Sequence, residues 1–235
     1  MQIAEASVGL SLGYTPSQYA TIHGNLVMLK LLLGAGADLN GVDDNSNSVL
    51  TIAVDANEVN IVDFLISQKV NLNRKNSDGY TALYYAASNE YLDVLRSLVR
   101  AGADLEILYG NKQFSALSIA ILAGNTDSAL LMIKNGADVN SRTSEGFTAS
   151  FVAAQEGNLP VLEALVAAGA NLELPGGAYE MTPLLIAAIK GELDIVKFLK
   201  KNGVNLEVKD SDRKSALDLA KENGFDEIVM LLEEK

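Results

Sequence analysis

Side chains suited to acid–base, nucleophilic or metal chemistry are scarce in this sequence. Cysteine is absent, which excludes disulfides, thiolate nucleophiles and Cys-ligated metals, and His23 is the only histidine. One histidine cannot form a histidine-cluster metal site, and histidine-assisted catalysis needs that ring beside a hydroxyl or thiol. The pair Gly176-Gly177 does not follow a strand, as a phosphate-binding loop would. We therefore expect no catalytic residues, no metal site and no cofactor.

Carboxylates are the one abundant reactive group. The chain has 30 acidic and 18 basic residues, and its formal net charge is −12 at pH 7. Many carboxylates, such as Asp38, Asp104 and Asp138, recur at fixed positions of a repeating pattern, where Asx-turn hydrogen bonds account for them. An enzyme would instead need a pocket of carboxylates with perturbed pKa, which the sequence does not indicate.

The acidity bears on the partner. Nucleic acids and anionic membranes bind basic surfaces, so we expect neither as a partner. Two interpretations stay open: the charge keeps a monomer soluble, or it attracts a basic protein surface.

The N-terminus and the apolar runs bear on the compartment. The first residues have no basic stretch and include Glu5, unlike a signal peptide. No apolar run approaches the roughly 20 residues that span a bilayer. With the absence of cysteine, these features predict a soluble, monomeric, cytoplasmic protein, or one in a host cytosol if it is a secreted effector. Both ends lead us to expect a complete protein rather than a fragment.

One pattern recurs along the whole chain. A Thr or Ser is followed five residues later by Ala, and successive pairs are 33, 33, 34, 33, 34 and 33 residues apart. The seven pairs are Thr15/Ala20, Ser48/Ala53, Thr81/Ala86, Ser115/Ala120, Thr148/Ala153, Thr182/Ala187 and Ser215/Ala220. Glycine recurs nine and twenty-one residues after most of these Thr and Ser residues. Each unit thus predicts two short helices: the first capped by the hydroxyl, and each ended by a left-handed residue.

Neither helix can bury its apolar stripe alone, so the units must stack. The pattern resembles the ankyrin repeat, notably in Gly79-Tyr80-Thr81-Ala82-Leu83 and in Gly136-Ala137-Asp138-Val139-Asn140. The resemblance implies an all-α repeat solenoid of helix-turn-helix units with β-turn or hairpin fingers, in a right-angled stack with a concave groove. We expect a single domain over 1–235, with units near 9–41, 42–74, 75–108, 109–141, 142–175, 176–208 and 209–235.

Several units depart from the family pattern. The histidine usual three residues after the Thr is missing from every unit, so its hydrogen bonds must be replaced. Ser17 and Ser150 stand where a core Leu is expected, and Tyr19 and Phe151 are the candidates to fill that space.

The second unit is the least regular. It has Ser46, Asn57 and Lys69 at positions that favour glycine. A lysine in a left-handed conformation costs roughly 1 kcal/mol relative to glycine. We therefore expect this repeat to be the softest.

The resemblance places the partner-binding face on the finger tips and the ends of the first helices. The position before the cap is aromatic in four units, and Met181 is a fifth large apolar side chain there. Binding hot spots are enriched in aromatic side chains, but a bulky side chain here could equally support one finger against the next. Both interpretations stay open. The predicted partner-binding residues are Tyr14, Tyr80, Asn89, Tyr109, Phe114, Leu122, Phe147, Gln155, Glu156, Tyr179, Met181 and Ile189.

Both 34-residue spacings add a residue to a finger, at 106–110 and at 173–177. These long fingers flank the fifth unit. If they project further than the other fingers on both sides of Phe147, Gln155 and Glu156, these residues are the predicted centre of the partner site. The alternative is that the added residues are a neutral insertion.

Together these features predict a non-catalytic protein–protein interaction module whose partner is another protein, with a basic surface as one option. Two alternatives remain. One is an inhibitor or immunity-type protein that blocks one enzyme, and the other is a bacterial effector acting in a host cell.

Overall fold

The structure, a computed structural model, describes residues 13–234. They group into two compact units, which meet in sequence between Gly110 and Asn111 and are described separately. Residues 9–12 of the predicted first repeat lie outside the described residues. The expectation of a single domain over 1–235 stays a prediction.

Each repeat contributes two helices. In the first compact unit these are α1 Pro16–Ile22, α2 Leu26–Gly34, α3 Val49–Asp55, α4 Val59–Ser67, α5 Ala82–Ser88 and α6 Leu92–Arg100. In the second they are α7 Ala116–Leu122, α8 Thr126–Lys134, α9 Ala149–Gln155, α10 Leu159–Ala167, α11 Pro183–Lys190, α12 Leu193–Lys201, α13 Ala216–Asn223 and α14 Asp226–Glu233. Across residues 13–234, extended pairing is limited to isolated bridges such as that between Val42 and Ser48. The predicted all-α repeat fold is confirmed.

The predicted helix caps are confirmed in all seven repeats. Each Thr or Ser accepts a hydrogen bond from the amide three residues on, as Thr148 does from Phe151 at 3.2 Å. The residues nine positions after the caps have positive φ even where they are not glycine, as at Asn57 with φ 54° and Glu90 with φ 59°. The cap and the left-handed residue thus set both ends of each first helix.

The core of each unit forms where like helices pack. First helices contact first helices, as α3 contacts α5 and α9 contacts α11, and second helices contact second helices, as α4 contacts α6. The alanine five residues after each cap is at most 3% exposed in every repeat, so neighbouring helices approach closely. Apolar side chains of the second helices, such as Val62 and Leu65, are fully buried.

The missing histidine is replaced differently in different repeats. Gln18 donates from Nε2 to the carbonyl oxygen of Asn47 in the next repeat at 2.8 Å, and its Oε1 accepts from the Thr15 amide at 2.8 Å. Thr51 instead bonds the hydroxyl of its own cap, Ser48, at 3.0 Å. Of these two residues, only Gln18 makes a side-chain hydrogen bond to the next repeat.

Of the two side chains expected to fill the space beside the core serines, one is buried and the other is exposed. Ser150 is 1% exposed and Phe151 beside it is buried, as expected. Ser17 is also 1% exposed, but Tyr19 is 46% exposed and points too far into solvent to fill its space, so that expectation was wrong.

Candidate protein-binding face

The fingers of the second, third, fifth and seventh repeats are each closed by a buried residue five positions before the cap. In the second repeat this residue is Asp43, whose Oδ1 accepts from the amides of Asn45 at 3.0 Å and Asn47 at 2.7 Å. Asn76, Thr143 and Asp210 bind their own turns through side-chain oxygens in the same way. This role was not predicted from the sequence, although the recurring small polar residue was its signal.

Neighbouring fingers are tied by backbone hydrogen bonds. In the second compact unit the amide of Ser144 donates to Lys112 at 2.9 Å, that of Gly177 to Glu145 at 2.7 Å and that of Ser211 to Tyr179 at 3.1 Å. The fingers at 111–114, 143–147, 176–181 and 210–214 therefore form one bonded series, here called the finger row. A side chain at its tips stands on a backbone that is already fixed.

The long finger of the sixth repeat closes without a side chain. The amide of Gly176 donates to Met181 at 2.9 Å, and the amide of Met181 donates back to Gly176 at 2.8 Å. Both glycines lie over the Phe147 ring, because a Cβ on either would come 2.6 Å from a ring atom. Phe147 in turn stacks on Phe151 with centroids 4.3 Å apart. Its ring therefore braces the long finger, as one of the two open interpretations held.

The same finger presents Tyr179 to solvent. This side chain is 59% exposed, although its carbonyl oxygen is held by the amide of Ser211. Leu122, at the end of α7, is 41% exposed. Met181, Ile189 and Phe114 are half-buried.

The polar members of the predicted centre lie at the end of α9. Gln155 is half-buried and Glu156 is exposed. The Gln155 amide donates from Nε2 to Glu156 Oε1 at 2.8 Å, so the two side chains form one polar pair.

Tyr109 does not belong to an exposed face. It is 2% exposed, and its phenol shares a hydrogen bond of 2.7 Å with the Thr81 hydroxyl. Burial raises the pKa of Tyr109 to about 12, although the bond to Thr81 lowers it. Its prediction as a partner-binding residue was wrong, because it stands six residues before its cap, at the base of a lengthened finger rather than at the tip.

The other predicted residues of the first compact unit are partly or fully accessible. Tyr80 is half-buried and stacks on Tyr84 with centroids 3.9 Å apart. Asn89 directly follows α5 and is exposed. It donates from Nδ2 to the carbonyl oxygen of Tyr85 at 3.0 Å. Tyr14 is half-buried and lines a pocket.

That pocket has a volume of about 280 Å³. Its lining residues are Tyr14, Ile22, Asp43, Asn47, Thr51, Ile52, Asp55, Ala56 and Tyr85. Burial raises the pKa of the Tyr85 phenol and the negative charge of Asp55 adds to the rise, whereas a hydrogen bond from Asn76 opposes it. Tyr14 was predicted to lie on the binding face, but the pocket was not predicted, because its walls come from three repeats.

Residues 13–234 contain no group of three or more His, Cys, Asp or Glu side chains placed to hold a metal ion. No helix in that range is long and apolar enough to cross a membrane.

The chain matches a known repeat family along most of its length. The family described as ankyrin repeats matches the chain in three copies, over residues 17–109, 106–175 and 151–235. The chain belongs to the ankyrin-repeat family. The ankyrin-repeat fold is a scaffold for protein interactions.

Several proteins are similar in sequence. The B-cell lymphoma 3 protein homolog of Mus musculus is 27% identical over 197 residues, which are 82% of this chain and 44% of that protein. A transient receptor potential cation channel subfamily A member 1 homolog of Caenorhabditis elegans is 28% identical over 191 residues, 81% of this chain and 16% of the channel subunit. The chain thus spans less than half the length of these relatives.

Solved structures are similar in fold. The ankyrin repeat domain of Bcl-3 matches with a TM-score of 0.81 and 22% identity, covering 92% of this chain and 98% of that domain. The ankyrin repeat domain of human ASB11 matches with a TM-score of 0.77 and 24% identity, covering 94% and 99%.

Proposed function

We propose that this protein binds a partner protein through its finger tips and the ends of its first helices, and that it makes or breaks no covalent bond. The observation that carries the proposal is Tyr179, a 59% exposed aromatic side chain on a backbone fixed by the neighbouring finger. Aromatic anchors that lose little freedom on binding dominate protein interfaces.

The proposed contact residues are those predicted positions that keep accessible surface. They are Tyr14, Tyr80, Asn89, Phe114, Leu122, Phe147, Gln155, Glu156, Tyr179, Met181 and Ile189. Phe147 contributes mainly by holding the long finger, since two glycines cover its ring.

The partner in this proposal has a basic surface. The net charge of −12 would speed the approach of such a partner and repel an acidic one. The acidic, cysteine-free composition supports a monomer acting in the cytoplasm as part of the same proposal.

Affinity capture from a native lysate of the cells that make the protein tests the proposal. Tyr179→Ala should weaken binding of the captured partner by about tenfold or more, because truncating a hot-spot aromatic costs about 2 kcal/mol or more. Met230→Ala is the matched control, because Met230 is also 59% exposed but lies on α14 rather than in the finger row. Equal affinity of the wild type and Tyr179→Ala would contradict the proposal.

The same capture separates an adaptor from an inhibitor. Several partners of different kinds indicate an adaptor. One enzyme held stoichiometrically and inactivated indicates an inhibitor.

A further inference from the structure

The pocket of the first compact unit has the size and lining of a site for one side chain. Its volume of about 280 Å³ is just below the range for small-molecule sites. The apolar residues Ile22, Ile52 and Ala56 line it, and so do the aromatic residues Tyr14 and Tyr85. A long aliphatic stem could therefore lie against these residues.

The two carboxylates of the pocket differ in their free hydrogen-bonding capacity. Asp43 is 6% exposed, and its two oxygens already accept from the Asn45 amide and from the backbone and side chain of Asn47. Asp55, at the last turn of α3, is exposed, and its carboxylate makes no hydrogen bond or ion pair with another residue of 13–234. Asp55 is therefore the free carboxylate of the pocket.

The field around Asp55 is negative. The residues that line the pocket include two aspartates and no lysine, arginine or histidine. Asp78, on the next finger, carries a further negative charge close enough to act on Tyr85. The pocket thus combines a free carboxylate, two aromatic rings and an uncompensated negative potential.

We propose that this pocket binds one basic side chain, an arginine or lysine, of the partner protein. The inference rests on the proposed function and specifies the partner's chemistry at one place. The cation pairs with the Asp55 carboxylate, its aliphatic stem lies along Ile22 and Ile52, and the tyrosine rings attract it through their π-faces.

Other occupants fit the same walls less well. An apolar side chain would desolvate Asp55 without replacing its hydration, and an acidic one would be repelled by it. A bare divalent cation needs several oxygen ligands, whereas Asp55 is the one carboxylate of the pocket with free oxygens.

Amide NMR of the ¹⁵N-labelled full chain tests the proposal with three blocked amino acids: the N-acetyl amides of arginine, lysine and citrulline. Citrulline has nearly the shape of arginine but no charge. The arginine or lysine probe should shift amides of Ile22, Ile52 and Tyr85, and citrulline should bind at least about fivefold more weakly. Shifts of the same amides by citrulline with the same dissociation constant as arginine would overturn the proposal.

A pair of variants gives an independent readout. Asp55→Asn should lose the arginine and lysine shifts, whereas Asp63→Asn should keep them, because Asp63 is an exposed aspartate on α4 that does not line the pocket. Amide spectra without probe show whether each variant is folded. A folded Asp55→Asn chain that binds the probes like the wild type would contradict the pocket assignment.

Failure here is distinguishable from failure of the proposed function. If Tyr179→Ala loses the captured partner while Asp55→Asn retains it with unchanged affinity, the interaction module stands and the pocket assignment is wrong. If Asp55→Asn weakens capture and Asp63→Asn does not, the basic side chain belongs to the partner.

Discussion

At the scale of single residues, Tyr109 and Tyr179 show what decides whether an aromatic side chain binds or braces. Both lie in lengthened fingers and were predicted together. Tyr109 stands six residues before its cap and is 2% exposed, whereas Tyr179 stands three before its cap and is 59% exposed. The position relative to the cap sets the burial, so residue type alone could not separate them.

The phenol of Tyr109 should ionise far later than an ordinary tyrosine. Burial raises its pKa from 10.0 to about 12, so the folded state holds this proton more tightly than the unfolded state does. This contribution to stability is complete below pH 10 and is lost as the pH rises towards 12.

Phenolate absorbance measured against pH in the wild type and in Tyr109→Phe checks this prediction. The difference between the two curves should have its midpoint near 12. A midpoint near 10, the ordinary value, would show that the phenol is accessible to water.

Ser150 should be better replaced by alanine. Its hydroxyl is buried and has no hydrogen-bond partner among the described residues. Ser150→Ala removes a desolvated polar group and should raise the free energy of unfolding by about 1 kcal/mol in urea titrations.

Ser118 provides the contrast for that substitution. It is also buried, but its hydroxyl accepts from Ser115 at 3.2 Å. Ser118→Ala should therefore lower the free energy of unfolding by about 1 kcal/mol. If both variants changed the free energy of unfolding in the same direction, the presence or absence of a hydrogen bond to the hydroxyl would not explain the effect of the substitution.

At the scale of elements, the long finger needs a glycine at position 176 because a side chain would not fit there, and not because of its backbone angles. Gly176 does not have positive φ, but a Cβ there would come 2.6 Å from the Phe147 ring and 2.9 Å from the backbone of Gly146 and Phe147. Backbone atoms cannot move aside by changing rotamer. Gly176→Ala should therefore lower the free energy of unfolding by about 1–3 kcal/mol in denaturant titrations.

Gly34 is the matched control for Gly176. It lies at the end of α2, has no positive φ, and a Cβ there would have no atom within 4 Å. Gly34→Ala should be neutral or slightly stabilising, because alanine favours the helix. A neutral Gly176→Ala would mean that the finger does not lie on Phe147 as described.

The second repeat should be the first to open. Ser46, Asn57 and Lys69 have φ of 60°, 54° and 59°, so the predicted left-handed positions are confirmed while the softness stays a prediction. Amides of α3 and α4 should exchange hydrogen faster than those of α9 to α12 in native-state exchange. Equal protection of the two groups would contradict it.

A reciprocal pair of substitutions isolates the backbone contribution. Lys69→Gly should raise the free energy of unfolding by about 1 kcal/mol, because glycine adopts this conformation without strain. Gly169 has φ 88° at the equivalent position of the fifth repeat, with free space around it, so Gly169→Lys should lower stability by a similar amount.

At the scale of the whole molecule, the repeat architecture was fully predictable and the pocket was not. The helix caps, the left-handed residues and the buried alanines each depend on local sequence that recurs at a fixed spacing. Aligning the seven repeats therefore predicted them correctly. The pocket between Tyr14 and Tyr85 needs side chains from three repeats, so no single unit encodes it. The role of Asp43 lies within one finger, but it depends on the turn geometry that brings the Asn47 amide to the Asp43 carboxylate.

The net charge should also affect stability as a whole. Screening shortens from about 30 Å at 0.01 M salt to about 8 Å at 0.15 M. With a net charge of −12, added sodium chloride should raise Tm, since repulsion weakens while exposed ion pairs such as Lys197–Asp194 contribute little.

Thermal unfolding at pH 7 and at pH 4.5, close to the isoelectric point, checks the effect of charge. The same salt step should raise Tm at pH 7 but leave it nearly unchanged at pH 4.5. A rise of equal size at both pH values would assign the effect to general salting-out rather than to charge.

The backbone closure of the sixth-repeat finger has a consequence for how this surface can change. Asp43 and Asp210 must keep their side chains to hold their turns, whereas Gly176 and Met181 hold theirs through main-chain atoms. Ala178 and Tyr179 are exposed and their side chains close no turn, so substitutions there leave the repeat intact. Natural drift, or a designed library, can therefore exchange recognition at this tip while the scaffold stays the same.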